Sequence, residues 1–279
     1  MTNSKPELIE KIILSLSSLI PSKGWDSTVA IVAENPQLLF QLGTGTLVRI
    51  ADTFLVVTAA HVVLDAHNYN WTMGISGAQK KFIILGSDWS CSGEGGDPGV
   101  LDIAIHKLAQ DAVTNLAGKE FINLSDLTTP SNYSTGYYCL FGYPACWTKS
   151  ADAHTDTLTA GGFQLTTTAY NGDTHLLSNF DPKHHFLLEA DDLHLHAYGS
   201  DPVFPKRLEG ISGCSVWHLG DLSTPIEHWP KNRIGLAGVQ TGVYRTNIIK
   251  VTRWSSVVNL ILQVFPELRP AVQLSVTLQ

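Results

Sequence analysis

The chain has 279 residues and a formal net charge of −7, and 44% of its residues are hydrophobic. That length suits one large or two ordinary domains that fold on packing alone, and no cluster of Lys and Arg favours a nucleic-acid partner. The cysteines are few and lack the C-x-x-C spacing of metal sites, so we expect reduced thiols. They are Cys91, Cys139, Cys146 and Cys214.

The first 26 residues have the pattern of an amphipathic helix followed by a connector. Apolar residues recur at helical spacing, and they are Leu8, Ile9, Ile12, Ile13, Leu16, Leu19 and Ile20. Glu7 and Glu10 interrupt this apolar stretch, so the segment does not fit a secretory signal. No stretch of the chain reaches the roughly 18 apolar residues that crossing a bilayer requires. We therefore expect a docked N-terminal helix in a soluble, cytoplasmic protein that has no membrane partner.

Short β-rich segments bounded by Gly, Asn, Asp or Ser make up most of the remaining chain. Regular short strands with turns between them predict an all-β barrel or sandwich fold rather than βαβ units. A polar, Ser/Thr-rich stretch at residues 122–136 contains Pro130 and separates two sets of strands. The sequence therefore predicts two β domains, at residues 27–125 and 126–250.

A helical pattern returns near the end of the chain. The apolar residues Trp254, Val257, Val258, Ile261, Leu262 and Phe265 recur at helical spacing within the segment 251–265. Pro266 follows directly and marks the end of this pattern, because proline does not continue a helix. We expect residues 251–279 to form a C-terminal helix and tail, with the helix packed on the second domain.

The tetrapeptide Gly-Ile-Ser-Gly occurs twice, at Gly74–Gly77 and at Gly210–Gly213. Flanking glycines allow a tight turn whose N–H groups point at one spot beside the serine hydroxyl, and an ordinary Gly/Ser turn is the alternative for both copies. Ser212 leads straight into the alternating strand "CSVWHL", whereas Ser76 leads into the polar "GAQKKF", which is typical of a hairpin tip. A nucleophile needs rigid support, so Ser212 is the better candidate.

A serine nucleophile also needs a histidine to accept its proton. His61 follows the apolar strand Phe54–Val57, and the small residues between them keep the turn slim. A histidine there can project beyond the end of one β domain toward another. Its alternative role is to cap the strand end through a backbone hydrogen bond.

A carboxylate must in turn orient that histidine. In "GVLDIAIHKL", Leu101, Ile103 and Ile105 alternate onto one strand face, which places Asp102 on the opposite face. Asp is disfavoured within strands, so its presence there calls for a reason. A strand-start Asp that faces solvent is the alternative, and Asp97 and Asp88 compete for the carboxylate role.

The segments "TAAHVV", "LDIAI" and "GISGCS", in that order, resemble the His, Asp and Ser segments of the trypsin/chymotrypsin-like serine peptidases. The style is closest to their compact, bacterial, non-secreted, HtrA-like branch. The resemblance spans residues 28–244, with 41 residues from His61 to Asp102 and 110 from Asp102 to Ser212. It implies two six-stranded antiparallel β-barrels, with His61 and Asp102 on the first and Ser212 on the second. The α/β-hydrolase order of Ser, acid and His is excluded.

The resemblance also implies a mechanism and a substrate site. Ser212 attacks the peptide carbonyl with His61 as the base and Asp102 as its orienting carboxylate, and the N–H groups of Gly210 and Ser212 stabilise the oxyanion. No metal or organic cofactor is needed. The strand "AGVQTG" would pair with a peptide substrate through Gln240, Thr241 and Gly242, with an ordinary core strand as the alternative.

Two features depart from the family's common Gly-Asp-Ser-Gly-Gly-Pro pattern. Ile211 stands in the acidic position that receives a newly cut N-terminus in digestive members, so we do not expect zymogen activation of that kind. Cys214 and Ser215 replace the last Gly-Pro. Cys214 is either a redox-sensitive neighbour of the nucleophile or a buried, inert thiol.

The histidine-rich run from His184 to His196 raises a metal hypothesis. His194 and His196 would share one face of a strand, and Asp191 or Asp192 could add an oxygen ligand. A fourth ligand at a typical spacing is not visible, so a polar strand and loop is the preferred interpretation and no metal is expected.

The leading functional hypothesis is an intracellular serine endopeptidase that cleaves a specific protein. A partner protein or signal would activate it, because unregulated proteolysis in the cytoplasm is harmful, and the resemblance to stand-alone bacterial members suggests a role in stress or antiphage defence. The alternative is a catalytically silent trypsin-like domain that binds a peptide or partner through residues 237–242.

Overall fold

The computed structural model describes residues 21–35, 38–77, 82–93, 95–130, 132–150, 158–175, 177–190, 195–197, 205, 207–221, 234–245 and 247–277. These residues form two seven-stranded antiparallel β-sheets, a separate two-stranded pair and a C-terminal helical segment, and the predicted all-β double-barrel fold is confirmed. The predicted N-terminal helix lies outside the described residues. Within the described ranges, no helix is long and apolar enough to cross a membrane.

The first sheet follows a short helix, α1 (Pro21–Asp26). Its strands are β1 (Thr28–Glu34), β2 (Leu39–Ile50), β3 (Thr53–Ala59), β4 (Thr72–Ser76), β5 (Phe82–Ile84), β6 (Trp89–Cys91) and β7 (Ile103–Lys107). Their spatial order is β5-β4-β1-β2-β3-β7-β6, and every neighbouring pair is antiparallel. Helix α2 (Ala60–Asn68) connects β3 to β4, and helix α3 (Gln110–Asn115) follows β7.

The second sheet begins after a 3₁₀ turn at Leu124–Asp126. Its strands are β8 (Gly136–Gly142), β11 (Phe163–Thr168), β12 (His185–Glu189), β13 (Leu195–Ala197), β14 (Ser215–Asp221), β15 (Gly235–Tyr244) and β16 (Ile248–Arg253), and β9 (Thr148–Ser150) pairs separately with β10 (Leu158–Ala160). The spatial order is β12-β16-β15-β14-β8-β11-β13. An antiparallel bridge between Ala169 and Leu188 joins the end of β11 to β12, so the sheet curls into a barrel.

The central strands of both sheets are buried on both faces. In β3, Val56 faces the core of the first sheet, whereas Leu55 and Val57 belong to a cluster shared by both sheets and the C-terminal helix. In β8, Tyr138 likewise packs in the core of the second sheet while Phe141 packs in the shared cluster. Double burial explains why these strands read as continuous apolar runs rather than as alternating ones. The shared cluster holds the two sheets together.

The predicted C-terminal helix is present as α4 (Trp254–Val264), directly after β16. It ends before Pro266, as expected. Pro266 then begins a 3₁₀ turn that leads into a further helix, α5 (Arg269–Thr277), which the sequence analysis did not predict. Proline suits the first position of a helical turn because that N–H has no intrahelical acceptor. The predicted division into domains near residue 125 stays a prediction.

Candidate active site

The site begins where β3 and β7 end side by side in the first sheet. Ala59 of β3 lies opposite Ile103 of β7, so the residues just beyond this pair, His61 and Asp102, meet at the same edge. His61 Nδ1 lies 2.8 Å from Asp102 Oδ2, and the His61 backbone N–H donates to Asp102 Oδ1 at 3.0 Å. The Ala60 N–H donates to the Asp102 carbonyl oxygen, also at 3.0 Å. Two hydrogen bonds therefore fix the carboxylate to His61, and a third ties the Asp102 backbone to the same segment.

Asp102 does not lie within a strand, and that part of the sequence interpretation is wrong. Strand β7 begins at Ile103, and Asp102 occupies the preceding turn with a φ of +52°. Asp is one of the few non-glycine residues that adopt this left-handed conformation readily. The turn directs the carboxylate back toward the start of α2 and buries it, with 6% of the residue exposed. Burial removes competing water from its bond to His61.

The turn that carries Ser212 is held by threonines of β2. The Thr44 N–H donates to the Ser212 carbonyl oxygen at 2.8 Å, and Thr44 Oγ1 donates to the Gly210 carbonyl oxygen at 2.8 Å. Thr46 Oγ1 donates to the Gly213 carbonyl oxygen at 3.0 Å. Strand β2 belongs to the first sheet, so these bonds attach the Ser212 turn of the second sheet to the first sheet.

Gly213 lets this turn approach the end of β3. Its φ is +94°, and a Cβ built there would lie 2.0 Å from the Thr44 carbonyl oxygen and 2.3 Å from Thr58 Oγ1. Thr58 is three residues before His61. On the opposite side, a Cβ on Gly43 would lie 2.9 Å from the Val62 side chain and 3.1 Å from the Ser212 carbonyl oxygen. The structure thus brings Ser212 next to the segment that carries His61 and Asp102.

Ser212 Oγ forms no hydrogen bond with His61 within the part of the chain that the structure describes. In structures without substrate, the hydrogen bonds of catalytic groups are often long and shorten only when substrate binds. Ser212 is half-buried. The described residues therefore place the Ser212 turn against the segment of His61, without a hydrogen bond between the two side chains.

Two N–H groups of the Ser212 turn have no acceptor among the described residues. The Ile211 N–H donates to the Leu208 carbonyl oxygen, but the N–H groups of Gly210 and Ser212 donate to none. The Glu209 carbonyl oxygen accepts from the Ala145 N–H at 2.7 Å. Because the oxygen and hydrogen of a trans peptide point in opposite directions, this bond turns the Gly210 N–H away from Ala145. The two free N–H groups could receive an anionic oxygen.

The predicted substrate strand, β15, has one unpaired edge next to this turn. The ladder between β14 and β15 ends at Val239. Beyond it, the Gly213 N–H donates to the Gln240 carbonyl oxygen and the Gln240 N–H donates to the Cys214 carbonyl oxygen. From Thr241 to Tyr244, that edge has no strand partner in the described ranges. A peptide could add there as a further strand.

The three predicted substrate contacts differ in exposure. Gln240 is fully buried, and its Nε2 donates to the Gly242 carbonyl oxygen at 3.0 Å. Thr241 is also buried, with Oγ1 3.0 Å from Oγ1 of Thr252, which in turn donates to the Leu101 carbonyl oxygen at 2.7 Å. Gly242 is the partly exposed member. Contact of all three with substrate stays a prediction.

The Gly-Ile-Ser-Gly copy at Gly74–Gly77 has a structural role. Ser76 ends β4 in the first sheet, and its Oγ accepts a hydrogen bond from the Ala30 N–H at 3.1 Å. Cys214 is fully buried, and burial raises the pKa of its thiol, so the inert-thiol alternative fits. All four cysteines are free thiols.

The metal hypothesis concerned a region that the structure describes only in part. His194, Asp191 and Asp192 lie outside the described residues, and His196 belongs to β13. Elsewhere in the described ranges, no group of three or more His, Cys, Asp and Glu residues is placed to hold a metal ion.

The chain matches no family model and no curated protein. Among solved structures, a chain from a study of the coupled folding and binding of the disordered Sesbania mosaic virus VPg protein is 18% identical, with a TM-score of 0.44, over 85% of this chain and 90% of that one. A scabies mite inactivated protease paralogue is 16% identical, with a TM-score of 0.49, over 88% and 96%. A Glu endopeptidase is 14% identical, with a TM-score of 0.48, over 89% and 93%.

Proposed function

We propose that this chain is a serine endopeptidase that cleaves a specific protein in the cytoplasm through an acyl-enzyme intermediate. The observation that carries the proposal is the His61–Asp102 pair, with its 2.8 Å and 3.0 Å hydrogen bonds, beside the Ser212 turn, in which two N–H groups have no acceptor among the described residues. Base, orienting carboxylate, nucleophile and oxyanion donors are the four parts that acyl transfer by serine requires.

In the proposed reaction, Ser212 Oγ attacks the carbonyl carbon of the scissile peptide while His61 Nε2 accepts the hydroxyl proton. Asp102 accepts the hydrogen bond of Nδ1–H, which leaves Nε2 as the basic nitrogen. The C–N bond then breaks as His61 returns the proton to the leaving amine. Water repeats the sequence on the ester and restores the Ser212 hydroxyl. The N–H groups of Gly210 and Ser212 stabilise the oxyanion in both halves.

We also propose that a partner protein or the substrate itself brings the site to full activity. The absence of a Ser212–His61 hydrogen bond among the described residues supports this, because His61 must accept the Ser212 proton for the reaction to begin. Activation by a new N-terminus has no acidic receptor here, because Ile211 is fully buried in the apolar core of the second sheet.

Labelling with a fluorophosphonate, read by intact mass, tests the proposal. We expect one adduct on the parent protein and none on Ser212→Ala, with strongly slowed labelling of His61→Ala. Ser76→Ala is the matched control, since it alters the other Gly-Ile-Ser-Gly copy, and should label like the parent. A folded parent that stays unlabelled, while binding peptides through β15, would instead favour the silent binding domain.

A further inference from the structure

Lys250 is a buried lysine close to the candidate active site. It lies in β16 with only 6% of its surface exposed, and its ammonium forms no hydrogen bond or ion pair within the part of the chain that the structure describes. Its burial lowers its pKa, which the negative charge of Asp102 opposes. Burying an ammonium without a hydrogen-bond acceptor is costly, and a group of this kind beside a candidate site is a candidate for ligand binding.

None of the described neighbours of Lys250 accepts a hydrogen bond from its ammonium. Both carboxylate oxygens of Asp102 already accept hydrogen bonds from His61. His185 of β12 is the other nearby titratable base, and burial, with the charge of Lys250 as a second cause, lowers its pKa to about 4. Its imidazole is therefore uncharged at neutral pH. Asp102 is thus the nearby negative charge, but the Lys250 ammonium has no hydrogen-bond acceptor among the described residues.

The side chain of Lys250 lies across Gly242. The two residues are direct partners in the β15–β16 ladder, so Lys250 and any side chain at position 242 would share one face of the sheet. A Cβ built on Gly242 would lie 3.2 Å from Lys250 Cε and 3.9 Å from Nζ. The lysine thus occupies the space that a side chain on β15 would take.

A peptide that adds to the free edge of β15 would extend this row by one strand. Neighbouring strands are about 4.8 Å apart, and directly opposite residues point their side chains to the same face. The row would then read Lys250, Gly242 and one residue of the added peptide. Because Gly242 has no side chain, nothing on β15 separates the lysine from that residue.

We propose that Lys250 selects substrates that carry Asp or Glu at the position opposite Gly242, by forming an ion pair with that carboxylate. A substrate carboxylate would accept the hydrogen bonds that the ammonium does not make among the described residues, and hydrogen bonds between ions are about twice as strong as neutral ones. The statement that the bound peptide is a substrate rests on the proposed function. The ion pair itself requires only that a peptide binds to β15.

The test compares the parent with Lys250→Met, which keeps a long side chain and removes the charge, and with Lys183→Met, which removes an exposed lysine. Each protein digests a mixture of proteome-derived peptides, the cleavage sites are read by mass spectrometry, and the yield is normalised to the amount of fluorophosphonate-reactive protein. Gly242 is two residues beyond Gln240, which bonds to the Ser212 turn. We therefore expect the selected position about two residues from the scissile bond.

The expected result is an enrichment of Asp and Glu over Asn and Gln of at least tenfold at one position, in the parent and in Lys183→Met. Lys250→Met should lose that enrichment. Cleavage by the parent without acidic enrichment, or enrichment that survives in Lys250→Met, overturns the proposal while leaving the serine peptidase intact.

A binding measurement separates this proposal from the failure of catalysis. If the parent neither labels nor cleaves, the proposed function fails, and the Ser212→Ala protein is titrated with fluorescent hexapeptide pools that differ only by Glu or Gln at each position. Binding of one Glu pool at least tenfold tighter than its Gln partner, lost when Lys250→Met is added, supports the lysine's role. Equal binding of all pairs overturns it.

Discussion

The two sheets contribute to the candidate site in different states of completion. On the first sheet, every polar atom of the Asp102 carboxylate is paired, and its backbone carbonyl accepts from Ala60. On the second sheet, the N–H groups of Gly210 and Ser212, the edge of β15 and the ammonium of Lys250 have no partner among the described residues.

Under the proposed function, this difference means that the two sheets have different roles in the site. Groups that must hold a proton acceptor in one tautomer gain from being fixed before substrate arrives. Groups that must receive a peptide have to leave donors and acceptors open until it binds. Under the proposed function, the first sheet is the fixed half of the site and the second sheet is the receiving half. Substitutions in the two halves should have different consequences.

The largest expected effect is a loss of catalytic rate when Asp102, in the fixed half, is replaced. Asp102→Asn keeps the size of the side chain, but its amide no longer stabilises the protonated imidazole. In Ser-His-Asp enzymes this change costs about 10⁴-fold in turnover, or about 5.5 kcal/mol of barrier. We expect a loss of this order in the rate of acylation of Ser212 by an activated ester, followed by stopped-flow absorbance.

The matched control for this experiment is Asp97→Asn. Asp97 competed for the carboxylate role in the sequence, but it is exposed and its Oδ1 accepts from the Gly99 N–H. Acylation of this variant should stay within about twofold of the parent, as is usual for surface changes. Equal losses in both variants would mean that Asp102 acts through loop structure and not through His61.

The sequence was sufficient to predict the fold class. Strand signals were strong because β-branched and apolar residues recur between Gly, Asn and Asp breaks, and both sheets formed as expected. The turn conformation of Asp102 was missed, because alternation of Leu101, Ile103 and Ile105 fits a strand that in fact starts one residue later. Periodicity does not report the sign of φ.

The bonds that join the two halves could not be predicted. Thr44 and Thr46 bind carbonyl groups of the Ser212 turn that are 166 and 167 residues away. Their only sequence signal was a pair of alternating threonines in the apolar strand "LGTGTLV", which equally suits ordinary strand packing. Lys250 was missed for a similar reason, because one lysine in a strand normally marks the solvent face.

The second largest effect is expected where the receiving half contacts the fixed half. Gly213→Ala places a Cβ 2.0 Å from the Thr44 carbonyl oxygen at a φ of +94°. Strain and overlap with rigid backbone should together lower the free energy of unfolding by about 4 kcal/mol or more, unless the turn moves away. Urea denaturation measures the loss of stability. If the turn instead moves away, the variant stays folded and loses fluorophosphonate labelling.

Gly118→Ala separates these two causes. Gly118 has a φ of +90°, but a Cβ there would meet nothing within 4 Å. Its cost is therefore conformational strain alone, about 1–2 kcal/mol, with labelling of Ser212 retained. If both variants were equally destabilised and equally reactive, the close contact between the Ser212 turn and Thr44 would not be needed for the site.

The smallest of the three effects is a pH-dependent change in stability caused by His185, which lies in β12 beside β16 of the receiving half. His185 is buried, and its pKa of about 4 in the folded protein lies below the ordinary value of about 6.5. Between these values the unfolded chain binds more protons than the folded one, so stability falls as the pH decreases from 6.5 to 4, by up to about 3 kcal/mol. Thermal unfolding of the parent and of His185→Gln between pH 7 and pH 4 measures the part of this stability loss that His185 causes.

His185→Gln should lose less stability on acidification than the parent, whereas the exposed His175→Gln should follow the parent curve. Other carboxylates contribute to both curves equally, so the difference between the two variants isolates the buried imidazole. Parallel curves for all three proteins would mean that His185 protonates without cost in the folded state. Since the charge of Lys250 is one cause of the lowered pKa, Lys250→Met should flatten the same curve in part, which ties the pH response to the unpaired ammonium of the receiving half.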